Sequence, residues 1–113
     1  MLADQHCTAC TGSTPRLEGQ ELEDLVRQLP SWAVVEQHHL SKRFEFRDFA
    51  SALQFVNRIG ELAEREGHHP DIHLAWGRVE IQIFTHKING LSESDFILAA
   101  RIDRAFAQPD AGV

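Results

Sequence analysis

Histidine is the residue type whose clustering in this sequence most clearly suggests a chemical role. Four of the chain's seven histidines fall in the stretch EREGHHPDIHLAWGRVEIQIFTH, which runs from Glu64 to His86. Two of them, His68 and His69, are adjacent and are followed by a proline. Because an ordinary imidazole pKa of about 6.5 lies near neutral pH, such a cluster can serve proton transfer. Metal binding and a purely structural role are the two other interpretations.

Three helices and four strands must position these histidines. Apolar residues recur at helical spacing in GQELEDLVRQLP, in DFASALQFVNRIGELAEREG and in SESDFILAARIDRAF. For the second helix, Asp48 is an N-cap and Gly67 suits the C′ position, while Pro70 forbids continuation. WAVVEQHHLSKRFEF and DIHLAWGRVEIQIFTH each predict a pair of strands. The sequence therefore predicts an α+β fold, a four-stranded antiparallel sheet with three helices on one face (α-β-β-α-β-β-α).

The second hairpin determines which histidines meet. A two-residue loop at residues 77–78 predicts a register in which the apolar side chains of both strands face the helices. The same register places His69 opposite His86. His73 follows His69 by four residues, which on a strand separates them by roughly 13 Å, too far to bind one ion. The paired histidines at 38–39 fall at the tip of the first hairpin, where we expect them to be exposed.

Proton transfer fits the cluster better than metal binding does. His69 and His86 would supply two metal ligands and a carboxylate a third, but no HExxH or similar spacing is present. Two or three imidazoles around one pocket can hold different protonation states, so that one acts as acid and another as base. No serine or cysteine nucleophile is evident beside them, so covalent catalysis is not suggested. The structural role, capping a helix end and a strand end, stays open.

Composition excludes several classes of function. The chain has 113 residues, 42% of them hydrophobic and 25% charged, as expected for one globular domain. Its net charge of -6 argues against nucleic-acid binding, which needs a basic face, and against a basic membrane anchor. No apolar run approaches the roughly 20 residues of a membrane span, and the N-terminus lacks a signal-peptide pattern. We therefore expect a soluble, cytoplasmic protein.

Both cysteines, Cys7 and Cys10, lie near the start of the chain in HCTAC. Half a zinc site and a redox pair are two interpretations of this spacing. The surrounding sequence is rich in Gly, Ser, Thr and Pro, which favours a mobile tail with reduced thiols. We accordingly predict an irregular N-terminal tail over 1–16, a single domain over 17–108 and a C-terminal tail over 109–113.

Three stretches, EREGHHPD, WGRVEIQIFTH and GLSESDFILAARID, together resemble the pterin-4a-carbinolamine dehydratase family. The family pattern is E-x-x-x-H-H-P, a strand ending in T-H, and then G-L-[ST]-x-x-D. LPSWAV and FEFRDFASALQFVNRIG, upstream, are also similar to the family, so the resemblance covers about residues 20 to 104. It implies the same four-stranded sheet with three helices, and self-association as a dimer or a tetramer.

The resemblance also implies a reaction. Family members dehydrate 4a-hydroxytetrahydropterin to quinonoid dihydropterin, which recycles the pterin cofactor of aromatic amino-acid hydroxylases. The pterin is the substrate, and no metal or bound cofactor is implied. A hydroxylase is the partner that the resemblance suggests, besides a second copy of the chain. The main alternative is a non-catalytic module for pterin binding or protein interaction, since animal members also act as dimerisation cofactors of a homeodomain transcription factor.

Carried over by position, His68, His69 and His86 are the catalytic histidines that the resemblance implies. We expect His69 and His86 to share the roles of acid and base, and His68 to help hold the pterin. Asp95 lies three residues after Ser92, as in a capping box, and we favour capping with an indirect effect on the site. The positions implied to bind substrate are Glu64, Pro70, Asp71, Thr85 and Asp95.

Two positions depart from the family pattern. Ile72 stands where many members carry an aromatic residue, so a stacking contact to the pterin is either missing or replaced, with Trp76 as the candidate replacement. His73 is not part of the pattern, and we expect an ordinary histidine on the polar face of the sheet.

Overall fold

Three helices and a four-stranded antiparallel sheet form the body of the protein in a computed structural model that describes residues 1–7 and 12–107. The elements are α1 (Gly19–Arg27), β1 (Ala33–Val35), β2 (His39–Glu45), α2 (Phe49–Glu66), β3 (Asp71–Ala75), β4 (Arg78–Ile83) and α3 (Glu93–Ala107). Short 3-10 helices cover Leu2–Asp4 and His86–Ile88. The strand order is β1-β2-β4-β3, with antiparallel neighbours throughout. The predicted fold class is confirmed.

Helix α2 begins and ends where its sequence signals place the boundaries. The Asp48 carboxylate accepts a hydrogen bond from the Ser51 backbone N–H at 2.8 Å, which satisfies one free donor of the first turn. Gly67 follows the last turn with a φ of 63°, in the left-handed region that favours glycine. The buried face of α2 consists of Ala52, Phe55, Ile59, Leu62 and Ala63. Both ends of this helix are therefore defined by local contacts, and the histidine pair directly follows its C-terminal glycine.

The hydrophobic core lies between the helices and one face of the sheet. The central strands β2 and β4 contribute fully buried side chains to it, namely Leu40, Phe44, Val79, Ile81 and Ile83. Burial of each such side chain stabilises the fold by about 1.5–3 kcal/mol. Lys42 shares this face of β2, and its amine donates hydrogen bonds to Asp103 at 2.7 Å and to Ser31 at 2.8 Å. A cation is tolerated there because a carboxylate is beside it.

The predicted register of the β3–β4 hairpin is wrong by two residues. Ala75 pairs with Arg78, so the loop consists of Trp76 and Gly77. A Cβ atom at Gly77 would lie 2.8 Å from the backbone carbonyl oxygen of Phe46, so the end of β2 packs directly against this loop. The shift is an even number, and the side chains that face the helices are therefore those predicted. Trp76, however, leaves the apolar face and is 68% exposed.

The corrected register separates two histidines that the sequence placed together. Asp71 pairs with Gln82, and the same register continued outward would bring His69 opposite Phe84 instead of His86. His86 lies beyond the end of β4, in a 3-10 turn. His73 pairs with Glu80.

The first hairpin also differs from expectation. The chain turns between Val35 and His39, and both Glu36 (φ 53°) and Gln37 (φ 56°) adopt left-handed backbone conformations. The histidines at 38–39 are half-buried, so the expectation of exposed loop histidines is wrong. His38 contacts Phe84 and Asn89, which follow β4, and His39 contacts His38.

Residues 1–7 do not form a mobile tail, which corrects that expectation for this part of the chain. Leu2 is buried in the core, and the 3-10 helix that contains it packs against α3. Arg101 of α3 donates a hydrogen bond from its Nε to the carbonyl oxygen of Gln5 at 2.7 Å. Cys10 and the predicted C-terminal tail over 109–113 lie outside the described residues, and the domain boundaries stay a prediction.

Candidate active site

The first histidine of the pair is held by a buried carboxylate. His68 follows the glycine that ends α2, and its backbone N–H donates to the carbonyl oxygen of Ala63 at 3.2 Å. Its Nε2 lies 2.5 Å from Oδ1 of Asp95, whose side chain is fully buried, while the His68 side chain is 12% exposed. An ionised carboxylate only accepts hydrogen bonds, so the imidazole carries a proton on Nε2 and directs Nδ1 elsewhere.

Asp95 joins three segments of the chain. Its Oδ2 accepts hydrogen bonds from the backbone N–H of Ser92 and from the hydroxyl of Thr85, both at 2.8 Å. The bond from Ser92 is the capping-box interaction that the sequence predicts at the start of α3. The bond from Thr85 ties the end of the β4 strand to the same carboxylate. Asp95 therefore caps a helix and also orients His68.

The second histidine of the pair has a different environment. Nε2 of His69 is hydrogen-bonded to a carboxylate oxygen of Glu64, and the two side chains are 60% and 77% exposed. An exposed pair of this kind contributes between about 0 and 1 kcal/mol, because water competes for both groups. Both side chains can therefore exchange this contact for a ligand at little energetic cost.

The third histidine is carried by a separate turn. His86 begins the 3-10 helix after Thr85, and its side chain is exposed. The turn is closed by a bridge in which the Thr85 N–H donates to the carbonyl oxygen of Gly90 at 2.8 Å. The ring of Phe84 lies 4.1 Å from the His86 ring, centroid to centroid. His86 is thus one residue away from the threonine that binds Asp95.

The structure places the predicted site residues in one connected set, in two environments. Asp95 links His68 to Thr85, and Thr85 is adjacent in sequence to His86. The remaining predicted positions are Glu64, which meets His69, and Pro70 and Asp71, where β3 begins. Over residues 1–7 and 12–107, no hydrogen bond or ring contact joins His86 directly to either histidine of the pair. The catalytic and substrate-binding roles of these residues stay predictions.

An open depression of about 720 Å³ adjoins the exposed part of this set. Glu64 lies at its edge, and Ile72, the position that departs from the family pattern, forms part of its wall. The other lining residues come from α2: Val56, Asn57, Gly60, Glu61 and Arg65. Trp76 does not line this depression, so nothing here supports it as a substitute for the missing aromatic contact.

Glu66 is a buried polar residue near the site that the sequence did not reveal. Its side chain is 6% exposed, and it accepts hydrogen bonds from the Cys7 backbone N–H at 2.8 Å and from Nδ1 of His6 at 3.0 Å. Burial acts to raise the pKa of Glu66, but these hydrogen bonds and the nearby Arg101 together hold it below its ordinary value. No local motif predicts this contact, because its partners lie about 60 residues apart in the sequence.

Cys7 is held in the same place, and its surroundings disfavour the thiolate form. Burial is the main reason that the pKa of Cys7 is raised to about 12, with a further contribution from the negative charge of Glu66. A thiol with such a pKa is almost wholly protonated at neutral pH. The redox interpretation therefore has no support from the part of HCTAC that the structure describes.

The described part of the chain contains neither a metal-binding cluster nor a membrane-spanning helix. Among residues 1–7 and 12–107, no group of three or more His, Cys, Asp or Glu side chains is arranged to hold a metal ion. No helix within these ranges is both long and apolar enough to cross a membrane. The expected lack of a cofactor stays a prediction.

Comparison with known proteins places this sheet and its three helices in a family. The family model described as pterin 4 alpha carbinolamine dehydratase matches residues 15–105. A protein of Rubrobacter xylanophilus with the name "Putative pterin-4-alpha-carbinolamine dehydratase" is 60% identical over 103 residues, covering 91% of this chain and 96% of the relative. The chain belongs to the pterin 4 alpha carbinolamine dehydratase family.

Two solved structures agree with this assignment. A crystal structure from Brucella melitensis, described as a transcriptional coactivator/pterin dehydratase, matches with a TM-score of 0.75 and 31% identity, covering 80% of this chain and 97% of that one. A second structure is described as a pterin dehydratase-like protein that is a RuBisCO assembly factor in the alpha-carboxysome. It matches with a TM-score of 0.57 and 29% identity, covering 66% of this chain and 87% of that one.

Proposed function

We propose that the protein dehydrates 4a-hydroxytetrahydropterin to quinonoid dihydropterin by acid and base catalysis from histidines. Family membership and the names of the relatives support the reaction class. One observation on this chain carries the mechanism: a buried carboxylate holds one family histidine, while the other two are exposed. An anchoring group and two groups free to exchange protons with a ligand are what the reaction needs.

The reaction requires two proton transfers. The bond between C4a and its hydroxyl oxygen breaks, and the oxygen takes a proton from an acid and departs as water. The ring nitrogen beside C4a gives its proton to a base, and the electrons of that N–H bond form the C=N double bond. Positioned acids and bases each accelerate such steps by about 10² to 10⁴-fold.

His69 and His86 are the groups that we assign to these two transfers, without specifying which is the acid. Both are exposed, and they lie on separate segments, before β3 and after β4. In this proposal the flat pterin ring binds with one of these imidazoles on each side. His68 has its Nε2 occupied by Asp95, which leaves Nδ1 to hold the pterin. His68 therefore has a binding role in this proposal.

The other predicted site residues divide by burial. Glu64 is 77% exposed, and it is placed to accept hydrogen bonds from pterin nitrogens in place of its contact with His69. Pro70 and Asp71, where β3 begins, are assigned to substrate binding because they directly follow His69 in the sequence. Thr85 and Asp95 are 3% and 0% exposed, so we assign them positioning roles, acting through the histidines.

The proposal extends to the setting of the reaction. The pterin is the substrate, no bound cofactor takes part, and the product returns to an aromatic amino-acid hydroxylase in the cytoplasm. The protein associates with itself as a dimer or tetramer. The unpaired edge of β3 and the exposed Phe49 and Leu53 of α2 are surfaces that support such association.

The test is the rate at which freshly generated 4a-hydroxytetrahydropterin loses water, followed by ultraviolet absorbance with a chelator present. The wild type should exceed the spontaneous rate, and His69→Ala and His86→Ala should each lower it at least about tenfold. His73→Ala is the matched control, because His73 is an exposed histidine on β3 outside the site. Equal rates for all three variants would contradict the mechanism, and sensitivity to the chelator would contradict its metal-free character.

A protein-interaction module is the second candidate function. It is supported by the descriptions of the two structural relatives, one as a coactivator and one as an assembly factor. Wild-type protein that is no faster than the spontaneous reaction would favour this function over the dehydratase. A pterin titration by calorimetry would then separate a pterin-binding module from a protein that binds only other proteins.

A further inference from the structure

His86 is the last member of a chain of three rings in contact, which also includes Phe84 and His38. The His38 ring, from the turn between β1 and β2, lies 4.5 Å from the ring of Phe84. Phe84 in turn lies 4.1 Å from the His86 ring. The phenyl ring therefore contacts both imidazoles and links His86 to a residue 48 positions earlier in the chain.

The same histidine also binds the turn that carries His86. Nε2 of His38 donates a hydrogen bond to the side-chain oxygen of Asn89 at 2.8 Å. Asn89 ends the 3-10 turn in a left-handed conformation (φ 49°), and its backbone N–H donates to the carbonyl oxygen of His86 at 3.2 Å. His38 thus contacts the segment on both sides of His86, through Phe84 before it and Asn89 after it.

The hydrogen bond to Asn89 determines the tautomer of His38, and a second imidazole is placed to complement it. Nδ1 of His38 lies 3.0 Å from Nδ1 of His39. Because Nε2 carries the proton given to Asn89, a neutral His38 accepts at Nδ1 from a proton on His39. Every polar atom of the His38 ring then has a partner, so its orientation is well defined.

The backbone that presents His38 is strained. Glu36 and Gln37, the two residues before it, both have positive φ, an arrangement normally left to glycine or asparagine. Non-glycine residues in left-handed conformations persist only where the surrounding structure enforces them, and such strain is concentrated at functional sites. This hairpin is thus held in a conformation that its own sequence does not favour.

The segment before α1 also contacts the turn that carries His86, and it lines one pocket together with His38 and Asn89. The Leu17 backbone N–H donates to the carbonyl oxygen of Leu91 at 2.8 Å. The Arg16 side chain packs on Gly90 so closely that a Cβ atom there would clash with it. The turn is thus held at residues 90–91 by this segment and at Asn89 by His38.

We propose that His38 is a positioning residue for His86, which it orients through Phe84 and Asn89. The catalytic part of this inference rests on the proposed function of His86. A group that transfers protons must be held within a fraction of an ångström of its working geometry, and its supporting contacts decide how often it is there. His38 acts on the rate of the chemical step and does not touch the substrate.

Steady-state dehydratase kinetics and histidine NMR of the full chain test the proposal together. His38→Ala removes the stacking and the hydrogen bond, and should lower kcat about tenfold with a smaller change in KM. His38→Gln keeps a planar amide and a donor for Asn89, and should recover most of the loss. Asn89→Gly removes the side-chain oxygen that accepts the hydrogen bond from His38, and glycine adopts the left-handed backbone conformation without strain. This variant provides the test if His38→Ala does not fold.

The NMR arm is independent of catalysis. The ring-proton signal of His86, shifted by the adjacent Phe84 ring, should move and broaden in His38→Ala and stay unchanged in His73→Ala. A wild type without turnover in which this signal still responds would refute the proposed function and leave the positioning of the turn intact. A folded His38→Ala with unchanged kcat and an unchanged His86 signal would overturn the proposal. Equal losses in His38→Ala, His38→Gln and His73→Ala would overturn it as well.

Discussion

Replacing Asp95 by asparagine is the substitution with the most specific expected consequence. In the wild type, one carboxylate oxygen accepts from Nε2 of His68 and the other from Ser92 and Thr85. Asparagine fills the same volume but has only one acceptor oxygen. If that oxygen keeps the two donors on its side, the amide nitrogen faces His68 and presents hydrogens to it. The imidazole must then release its Nε2 proton and carry it on Nδ1.

The size of the effect follows from the burial of the pair. The Asp95 side chain is fully buried and that of His68 is 12% exposed, so water cannot replace the lost bonds. Exchanging hydrogen bonds to a charged acceptor for weaker neutral ones should lower the free energy of unfolding by about 1–3 kcal/mol. For a chain of this size, 2 kcal/mol corresponds to a Tm lower by roughly 10 °C. The exchanged tautomer should also lower kcat by about tenfold, because His68 would present the wrong atom to the pterin.

Long-range proton–nitrogen NMR spectra of the histidine rings measure the tautomer directly, at about pH 8.5, where an ordinary imidazole is neutral. The wild type should show a proton on Nε2 of His68, and Asp95→Asn a proton on Nδ1. Asp103→Asn is the matched control: Asp103 accepts from Trp32 and Lys42, so its loss should affect stability without changing the His68 spectrum. A wild type without a proton on Nε2 of His68, or an Asp95→Asn variant that keeps the proton there, would contradict the proposed role of Asp95 in setting the His68 tautomer.

Three further predictions concern the supports around the site. Burial acts to raise the pKa of Glu66, but hydrogen bonds from Cys7 and His6 hold this pKa below the ordinary value of 4.5. The ionised carboxylate therefore stabilises the fold above pH 4.5, and this stabilisation is lost as the pH falls through the folded-state pKa. In urea titrations, Glu66→Gln should therefore cost about 1–3 kcal/mol at about pH 7 and less at about pH 3; a constant difference would contradict this sign. Gly77→Ala should lower the free energy of unfolding by about 1–3 kcal/mol, because the added Cβ would lie 2.8 Å from a backbone oxygen. Gly60→Ala is the control and should not lower it, because Gly60 lies in helical backbone with open space around it. Similar Tm values for the two variants would contradict this prediction. In a variant with the other cysteine replaced by serine, alkylation of Cys7 at about pH 8 should be at least about tenfold slower in the folded chain than in the urea-unfolded chain. The reason is that burial raises the pKa of the Cys7 thiol to about 12 in the folded chain. Equal alkylation rates would contradict the burial of Cys7.

The sequence contained most of the information on the elements because their signals are local. The cap at Asp48 and the left-handed glycine at Gly67 act within one helical turn, and both are found where predicted. The role of Asp95 as a cap was likewise visible from its spacing to Ser92. Alternation along the strands predicted which side chains face the helices, and that prediction survived a wrong register because the error was two residues.

The parts that could not be predicted depend on contacts between distant segments. The hairpin loop shifted to include Trp76 because the end of β2 packs against Gly77, and β2 lies about 30 residues earlier. His68 is hydrogen-bonded to Asp95, which lies 27 positions later in the chain. The sequence therefore showed the capping role of Asp95 but not its contact with His68. Residues 1–7 have the composition of a tail, yet the buried carboxylate of Glu66 holds them in place.

Catalysis of the dehydration by imidazoles of this chain is tested by the dehydration rate of His86→Ala beside the wild type and His73→Ala, with a chelator present. We expect fast turnover by the wild type and by His73→Ala, and a rate at least about tenfold lower for His86→Ala. A folded His86→Ala that turns over as fast as the wild type would contradict imidazole catalysis. So would a wild type that does not exceed the spontaneous reaction.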